Sequence, residues 1–297
     1  NVRRNRLGDF RNVRSSGLIA MKLDEGWNGE GDRLIGVATC REEQDVMLAT
    51  RKGRAIRFQI TDDTLRVFAG RDSTGVRGIR LGEGDSVNSL AVLTHVEATP
   101  AEREGYLRMA NARRRVEVPN GDAANGDAEA VPDGMEIEDP VEDGEAVAAT
   151  VLDPERFGAL ELAEEILLTV TDGGFGKRSS AHDYRATGRG GQGIANIQLL
   201  PRRNGKEVVA TLPVLPGTDV MLVTDAGRLI RVPADQVRIT GRQSMGVRLF
   251  RLGRNETVIS VFPVLEAVDA LDAEEAEMAV PEQGEAATDA GEGNGDA

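Results

Sequence analysis

A chain of 297 residues with 35 glycines and only 3% aromatic residues is rich in turns, which favours a β fold over a helical bundle. No apolar run approaches the roughly 18 residues that a membrane span needs, and the single cysteine, Cys40, excludes an intramolecular disulfide. The basic, polar N-terminus is unlike a signal peptide, so a reducing, cytoplasmic setting is expected, and a start at Asn1 and not at Met fits a fragment of a longer chain. The net charge of −14 does not exclude a polyanionic partner, because Glu97–Glu164 carries −12 and Glu266–Ala297 carries −11, leaving +9 on the rest.

In chain order the body reads as a series of repeats. Residues 1–42 form a partial unit, with Asn1 aligned just after a turn glycine, then "GLIAMKL" (Gly17–Leu23) and "RLIGVAT" (Arg33–Thr39). Residues 43–96 open with "DVMLATRKGRAIRF" (Asp45–Phe58), a β-hairpin pattern with Gly53 at the turn, followed by "GVRGIRL" (Gly75–Leu81) and "SVNSLAVL" (Ser86–Leu93). An acidic, low-complexity insertion at 97–164 is expected to be mostly disordered, apart from a short helix opened by a capping box of Thr99 and Glu102 with Pro100 at the first helical position. Residues 165–214 repeat the pattern as "EILLTVTDGGFGKRS", "GIANIQL" and "EVVATLPVL". Residues 215–265 repeat it as "DVMLVTDAGRLIRV", "GVRLFRL" and "TVISVFPVL", and 266–297 reads as a disordered acidic tail.

Aligned copies place Gly53, Gly174 and Gly227 in one column and Arg57, Arg178 and Arg231 in another, with Arg4 joining the arginines from the partial unit. In the second element, Met21, Ile79, Ile197 and Phe250 share a face with Leu23, Leu81, Leu199 and Leu252, and both columns are expected to be buried. Lys22, Arg80, Gln198 and Arg251 stand between them on the opposite face. The fold expected is all-β: a propeller-like array of four-stranded blades of about 55 residues, with a β-solenoid or β-sandwich as the alternative.

These same stretches resemble the C-terminal domain of the DNA gyrase A subunit, from about Val2 to Leu265, most specifically in "STGVRGIRLGEGD" (Ser73–Asp85). The resemblance implies a β-pinwheel, a propeller variant with strands exchanged between neighbouring blades, and a basic rim around which double-stranded DNA wraps. The residues expected to meet phosphate are Arg4, Lys22, Lys52, Arg54, Arg57, Arg71, Arg77, Arg80, Lys177, Arg178, Arg185, Arg189, Arg228, Arg231, Arg242, Arg248 and Arg251. No cofactor or metal is implied in this chain; ATP and Mg²⁺, a second A subunit and the gyrase B subunit would belong to a parent type II topoisomerase whose catalytic core is absent here. The family's Gln-Arg-Arg-Gly-Gly-Lys-Gly box is also absent, and "GRGGQG" (Gly188–Gly193) reads as a degenerate copy in a later blade. The family has about six blades and only about three and a half are visible. Alternatives are the equivalent domain of topoisomerase IV, a protein-binding propeller scaffold, which arginine columns paired with Asp and Glu would favour, and, more distantly, a propeller hydrolase. No Ser/His/Asp arrangement with usable spacing occurs; His95, His182, Tyr106 and Tyr184 are expected in turn, surface or structural roles, and Trp27 in an exposed or partly packed loop.

Overall fold

The computed structural model describes residues 1–13, 15–24, 31–117 and 150–264. Trp27, residues 118–149 of the insertion and the tail from 265 lie outside the described residues. The body is a succession of antiparallel sheets. The first combines β1 (Asp45–Thr50), β2 (Arg54–Gln59), β3 (Val87–Leu93) and β6 (Ile194–Ala195) in the order β3-β1-β2-β6. The second combines β4 (Ile166–Thr171), β5 (Phe175–Ser180), β7 (Val208–Val214) and β10 (Val247–Arg248) in the order β10-β5-β4-β7. The third has three strands, β8 (Asp219–Thr224), β9 (Leu229–Pro233) and β11 (Val258–Pro263), in the order β11-β8-β9.

In the two four-stranded sheets, three strands come from one repeat and the outermost comes from the next. Ala55 pairs with Ile194 and Gly176 with Val247, and the partial unit shows the same exchange in the bridge from Val2 to Val76. This is the exchange of strands between neighbouring blades that the resemblance to a β-pinwheel implies. The glycine opening each second element has a positive φ, and at Gly246 an added Cβ would stand 2.6 Å from Gly176 O, so only glycine lets the borrowed strand approach.

The cores lie between sheets, which explains why β1 reads as continuous apolar sequence. Val46 and Leu48 join Ile56, Phe58 and Ile79 on one side, while Met47 and Ala49 join Leu93, Leu167 and Tyr184 on the other. A third core, including Leu168, Val170 and Leu222, joins the last two sheets. Burying each such leucine stabilises the array by about 1.5–3 kcal/mol.

The first repeat departs from expectation. "RLIGVAT" forms no strand, and Leu34, Ile35 and Val37 are exposed, because no described strand stands where β1 would receive them. The leucine column also splits. Leu199 packs over the turn at Gly53 and Leu252 over the turn at Gly174, whereas Leu81 and Leu23 are exposed. Among the described residues, no hairpin turn lies beneath Leu81 for it to cover.

The insertion holds two helices where one was expected. α1 (Pro100–Glu117) opens with the capping box: Thr99 N donates to Glu102 Oε2 (2.8 Å), and Glu102 N donates to Thr99 Oγ1 (3.2 Å). α2 (Pro154–Leu162) is capped by Asp153, which accepts from Arg156 N at 2.9 Å. Tyr106, Ala110, Leu152 and Leu160 bury a small core between the helices. Arg156 pairs with Glu102 at 2.8 Å across them, and Tyr106 meets the His182 ring edge-on at 5.0 Å, which docks the pair on the turn after β5.

Candidate functional site

The candidate site is the outer perimeter, where each repeat hands a strand back to its predecessor. The connection before each borrowed strand loops outward as a hexapeptide: Gly70–Gly75, Gly188–Gly193 and Gly241–Gly246, each of the form G-R-x-x-x-G. Its fourth residue accepts a backbone hydrogen bond from the preceding repeat's cationic column: Lys22 N to Ser73 O (3.2 Å), Arg80 N to Gly191 O (2.8 Å) and Gln198 N to Ser244 O (3.3 Å). The loop arginine (Arg71, Arg189 or Arg242) is thus brought beside Lys22, Arg80 or Gln198. The hexapeptide is a signal that the aligned columns do not bring out, since in the sequence only Gly188–Gly193 stands out, as a box-like copy.

The fullest cluster surrounds Gly188–Gly193. Arg54 Nε donates to Gln192 O (2.9 Å) and its Nη2 to Gly193 O (2.6 Å). Arg189 Nη1 donates to Arg77 O at 3.3 Å. Arg77 and Arg80 are exposed, and neither side chain has a partner among the described residues. At the next junction Phe175 takes the place of Arg54, with the Arg248 guanidinium 5.3 Å above its ring. Arg242 is half-buried, its Nη1 donating to Ala195 O at 3.2 Å. In the last sheet Arg228 pairs with Glu256 at 2.8 Å and donates to Arg251 O at 3.0 Å. Lys52 is exposed at its hairpin turn, where Nζ reaches Glu83 O at 2.6 Å; Lys22 and Arg185 are exposed and Arg71 is half-buried.

One column differs from the expectation of phosphate contact. Arg4 and Arg57 are 7% and 6% exposed, and Lys177 is 1% exposed. Arg57 Nε donates to Asp45 Oδ2 (2.6 Å), Nη1 to Ala181 O (2.7 Å) and Nη2 to Thr94 O (2.9 Å). Arg178 binds Val237 O and Asp235, Arg4 binds Asp62, and Arg231 binds Asp219. The backbones of Arg4, Arg57 and Arg178 are each clipped by a parallel bridge to the following segment, at Val67, Ala186 and Ile239 respectively. The column staples each hairpin to the chain that follows, so Arg4, Arg57 and Arg178 act inside the fold. Lys177 donates from Nζ to Gly241 O (2.8 Å) and to Arg242 O, and burial pushes its ammonium well below the usual lysine range. It holds the third hexapeptide loop from beneath.

Sequence columns also miss Arg202, Arg203 and Lys206, all exposed in a loop with no counterpart of equal length. That loop lies against the turn Asp172–Gly174, where Asp172 Oδ1 accepts from Lys206 N at 2.8 Å. It supplies cations beside a hairpin turn that has none of its own. His182 is buried in a turn, His95 Nδ1 lies 2.8 Å from Asp45 Oδ1, and Tyr184 is buried with its hydroxyl donating to Asn196 Oδ1 at 2.5 Å. Among the described residues no three His, Cys, Asp or Glu side chains could hold a metal ion, and no helix is long and apolar enough to cross a membrane.

Interlocked sheets with cationic loops on the perimeter define a β-propeller-type repeat domain of the strand-exchanged kind. The chain belongs to the family described as DNA gyrase C-terminal domain, beta-propeller, whose model matches residues 1–41, 44–94, 165–206 and 218–265 and passes over both the helical insertion and the tail. It is 66% identical to the DNA gyrase A subunit of Granulibacter bethesdensis over 265 residues, and 40% identical to that of Rickettsia bellii over 269 residues. These alignments cover 89% and 90% of this chain but 27% and 26% of those proteins, so the chain spans about a quarter of the length of its curated relatives. In fold it is similar to a structure of the DNA gyrase A C-terminal domain (TM-score 0.53, 18% identity, 84% of this chain and 59% of that one). It is also similar to the C-terminal domain of DNA topoisomerase IV (TM-score 0.59, 15% identity, 92% and 62%).

Proposed function

We propose that this chain is the DNA-wrapping domain of a bacterial gyrase A subunit, binding duplex DNA through the cationic loops of its outer perimeter. The observation that carries the reading is the recurrence, at three successive junctions, of a G-R-x-x-x-G loop, set beside outward Lys22 and Arg80 of the preceding repeat at the first two and beside Gln198 at the third. Such a periodic, exposed array suits phosphate at regular spacing and needs no base contacts; affinity then comes from counterion release. The contacting set is Lys22, Lys52, Arg77, Arg80, Arg189, Arg228, Arg248 and Arg251, extended by Arg202, Arg203 and Lys206. Identity of 66% to a gyrase A subunit supports gyrase over topoisomerase IV. The pairing of the Arg57, Arg178 and Arg231 column with aspartates is the feature that would favour a protein-binding scaffold, and the exposed Arg77 and Arg80, with no such pair among the described residues, favour the DNA reading. In the parent enzyme, ATP and Mg²⁺ would act on other subunits or domains, a second A subunit and the gyrase B subunit would be partners, negative supercoiling would be the outcome, and the setting would be cytoplasmic.

The test is duplex binding as a function of salt, with end-to-end energy transfer on a labelled duplex to report bending. Affinity should fall roughly 10³-fold or more between ~50 and ~200 mM salt and depend little on sequence. Arg77→Ala with Arg80→Ala should lower the salt slope by about 2 without shifting the melting temperature. A salt-independent affinity, or bending unchanged in the double variant, would remove the reading.

A further inference from the structure

The third junction breaks the pattern of the first two. Lys22 and Arg80 bring a charge beside the first and second hexapeptide loops, but the third has Gln198, whose N–H donates to Ser244 O at 3.3 Å. The same repeat breaks a second pattern. Residues 82–86 and 253–257 lead from the column leucine to the inner strand, whereas residues 200–207 do so after Leu199, three residues more. The added length carries Arg202, Arg203 and Lys206, all exposed and with no side-chain partner among the described residues. The two carboxylates alongside are engaged. Asp172 Oδ1 accepts from Lys206 N (2.8 Å) and Glu207 N (3.2 Å), and Glu207 pairs with Arg51 at 2.9 Å.

Surface loops are ordinarily mobile, but this one is pinned by a buried carboxamide. Asn204, next to Arg203, is 0% exposed. Its Oδ1 accepts from Leu200 N at 2.7 Å, which closes the loop on itself. Its Nδ2 donates to Gln198 O at 2.7 Å and to Met245 O, in the third hexapeptide loop, at 2.8 Å. Its own carbonyl oxygen accepts from Thr171 Oγ1, and an added Cβ at Gly173 would stand 2.6 Å from that oxygen, so the loop is also seated on the hairpin turn. One side chain therefore spends both amide protons and its oxygen on joining the added loop to the residue that lacks a charge, and to the hexapeptide that this residue faces. A buried, fully satisfied group of this kind fixes the place of the residues beside it.

We propose that Asn204 is a positioning residue for the DNA contact at the third junction, holding Arg202 and Arg203 there in place of the cation that Gln198 does not supply. The inference rests on the perimeter reading above and gives the extra loop length a task within it. Asn204 touches no phosphate itself; it acts through the two arginines it anchors.

The experiment measures duplex affinity of the 297-residue chain against salt, because the slope counts the phosphates neutralised, at about 0.9 for each. Arg202→Gln with Arg203→Gln should lower the slope by about 2. Adding Gln198→Arg to that pair should restore about 1, since it returns a charge to the column. Asn204→Ala should lower the slope as the arginine pair does, and no further when combined with it. A slope unchanged in the arginine pair, or no restoration by Gln198→Arg, overturns the substitution of one cation source for another. A loss from Asn204→Ala that persists in the neutralised background makes Asn204 merely structural and overturns its role. Hydrogen exchange in the parent chain decides even where Asn204→Ala does not fold. The Leu200 amide, whose acceptor is Asn204 Oδ1, should be protected, and exchange as fast as in an open loop overturns the anchor. Arg77→Ala with Arg80→Ala, run in parallel, separates two failures. If it lowers the slope and the Arg202 and Arg203 pair does not, this inference fails alone; if neither does, the perimeter reading fails with it.

Discussion

The repeats Asp45–Leu93 and Asp219–Pro263 carry nearly the same hairpin, "DVMLATRKGRAIRF" and "DVMLVTDAGRLIRV", in different surroundings. In the first, Asp45 and Arg57 form an ion pair whose side chains are 0% and 6% exposed; in the second, the matching pair Asp219 and Arg231 are 22% and 53% exposed. Gly53 lies beneath Ile197 and Leu199, whereas nothing stands within 4 Å of a Cβ placed at Gly227. The hairpins are alike, so the difference comes from the following repeat, which covers the first and has no described counterpart beyond the second. Position within a blade is a property of the repeat; burial is a property of its successor.

The largest test of that comparison is the arginine staple. Arg57→Ala leaves a fully buried Asp45 short of its main partner and should cost about 3–5 kcal/mol. Arg231→Ala, at a solvent-screened pair, should cost under about 1 kcal/mol. Denaturant melts of both variants check this, and equal losses would break the comparison. The turn glycines come next. Both have φ +78°, so Gly227→Ala meets only the left-handed penalty of about 1–2 kcal/mol. At Gly53 the new Cβ would also stand 2.8 Å from Ile197 O, and overpacking adds about 1–3 kcal/mol.

The insertion sharpens the contrast, because its helices rely on caps and not on a successor. Thr99→Ala should cost about 1 kcal/mol, seen as lost helical circular dichroism. The Thr99 backbone N–H, then the Arg156 guanidinium and the Thr99 hydroxyl, hold the Glu102 carboxyl down to about 2 from an ordinary 4.5. A depressed carboxylate contributes stability above its unfolded value that fades as acid approaches its folded one. Helix signal should therefore weaken between about pH 4.5 and 2, and Glu102→Gln should flatten that part of the loss. Smallest of all, Leu81→Ala should cost under about 1 kcal/mol, since that side chain is already 42% exposed. A loss above about 2 kcal/mol would mean that something covers it.

Much of the fold is legible in the sequence for a local reason. Hairpins, their positive-φ glycines and the third strands β3, β7 and β11 follow from turn chemistry and apolar patterning within one repeat. The burial of Arg57 and Lys177 is not legible, because arginine and lysine read as surface until the chain that wraps them is placed. Leu81 fails for the converse reason: its column is apolar, but the turn that would sit beneath it is missing from the described residues. α2 does carry a signal, an Asp153 cap before Pro154, hidden by the acidic composition around it. Arg202, Arg203 and Lys206 escape because a longer loop falls outside any alignment of columns.

Strand exchange also governs where such a chain can change length. A cut inside a sheet strips the outer strand from one neighbour and uncovers the staple of another, so whole sheets are poor units of duplication or loss. The stretch between an inner strand and the next hairpin, here from Leu93 to Ile166, is spanned by no pairing that its lengthening would break. Both helices and the acidic segment between them lie in that stretch of the sequence. The seam between β3 and β4 is thus the point at which this architecture accepts new text without rewriting the lines on either side.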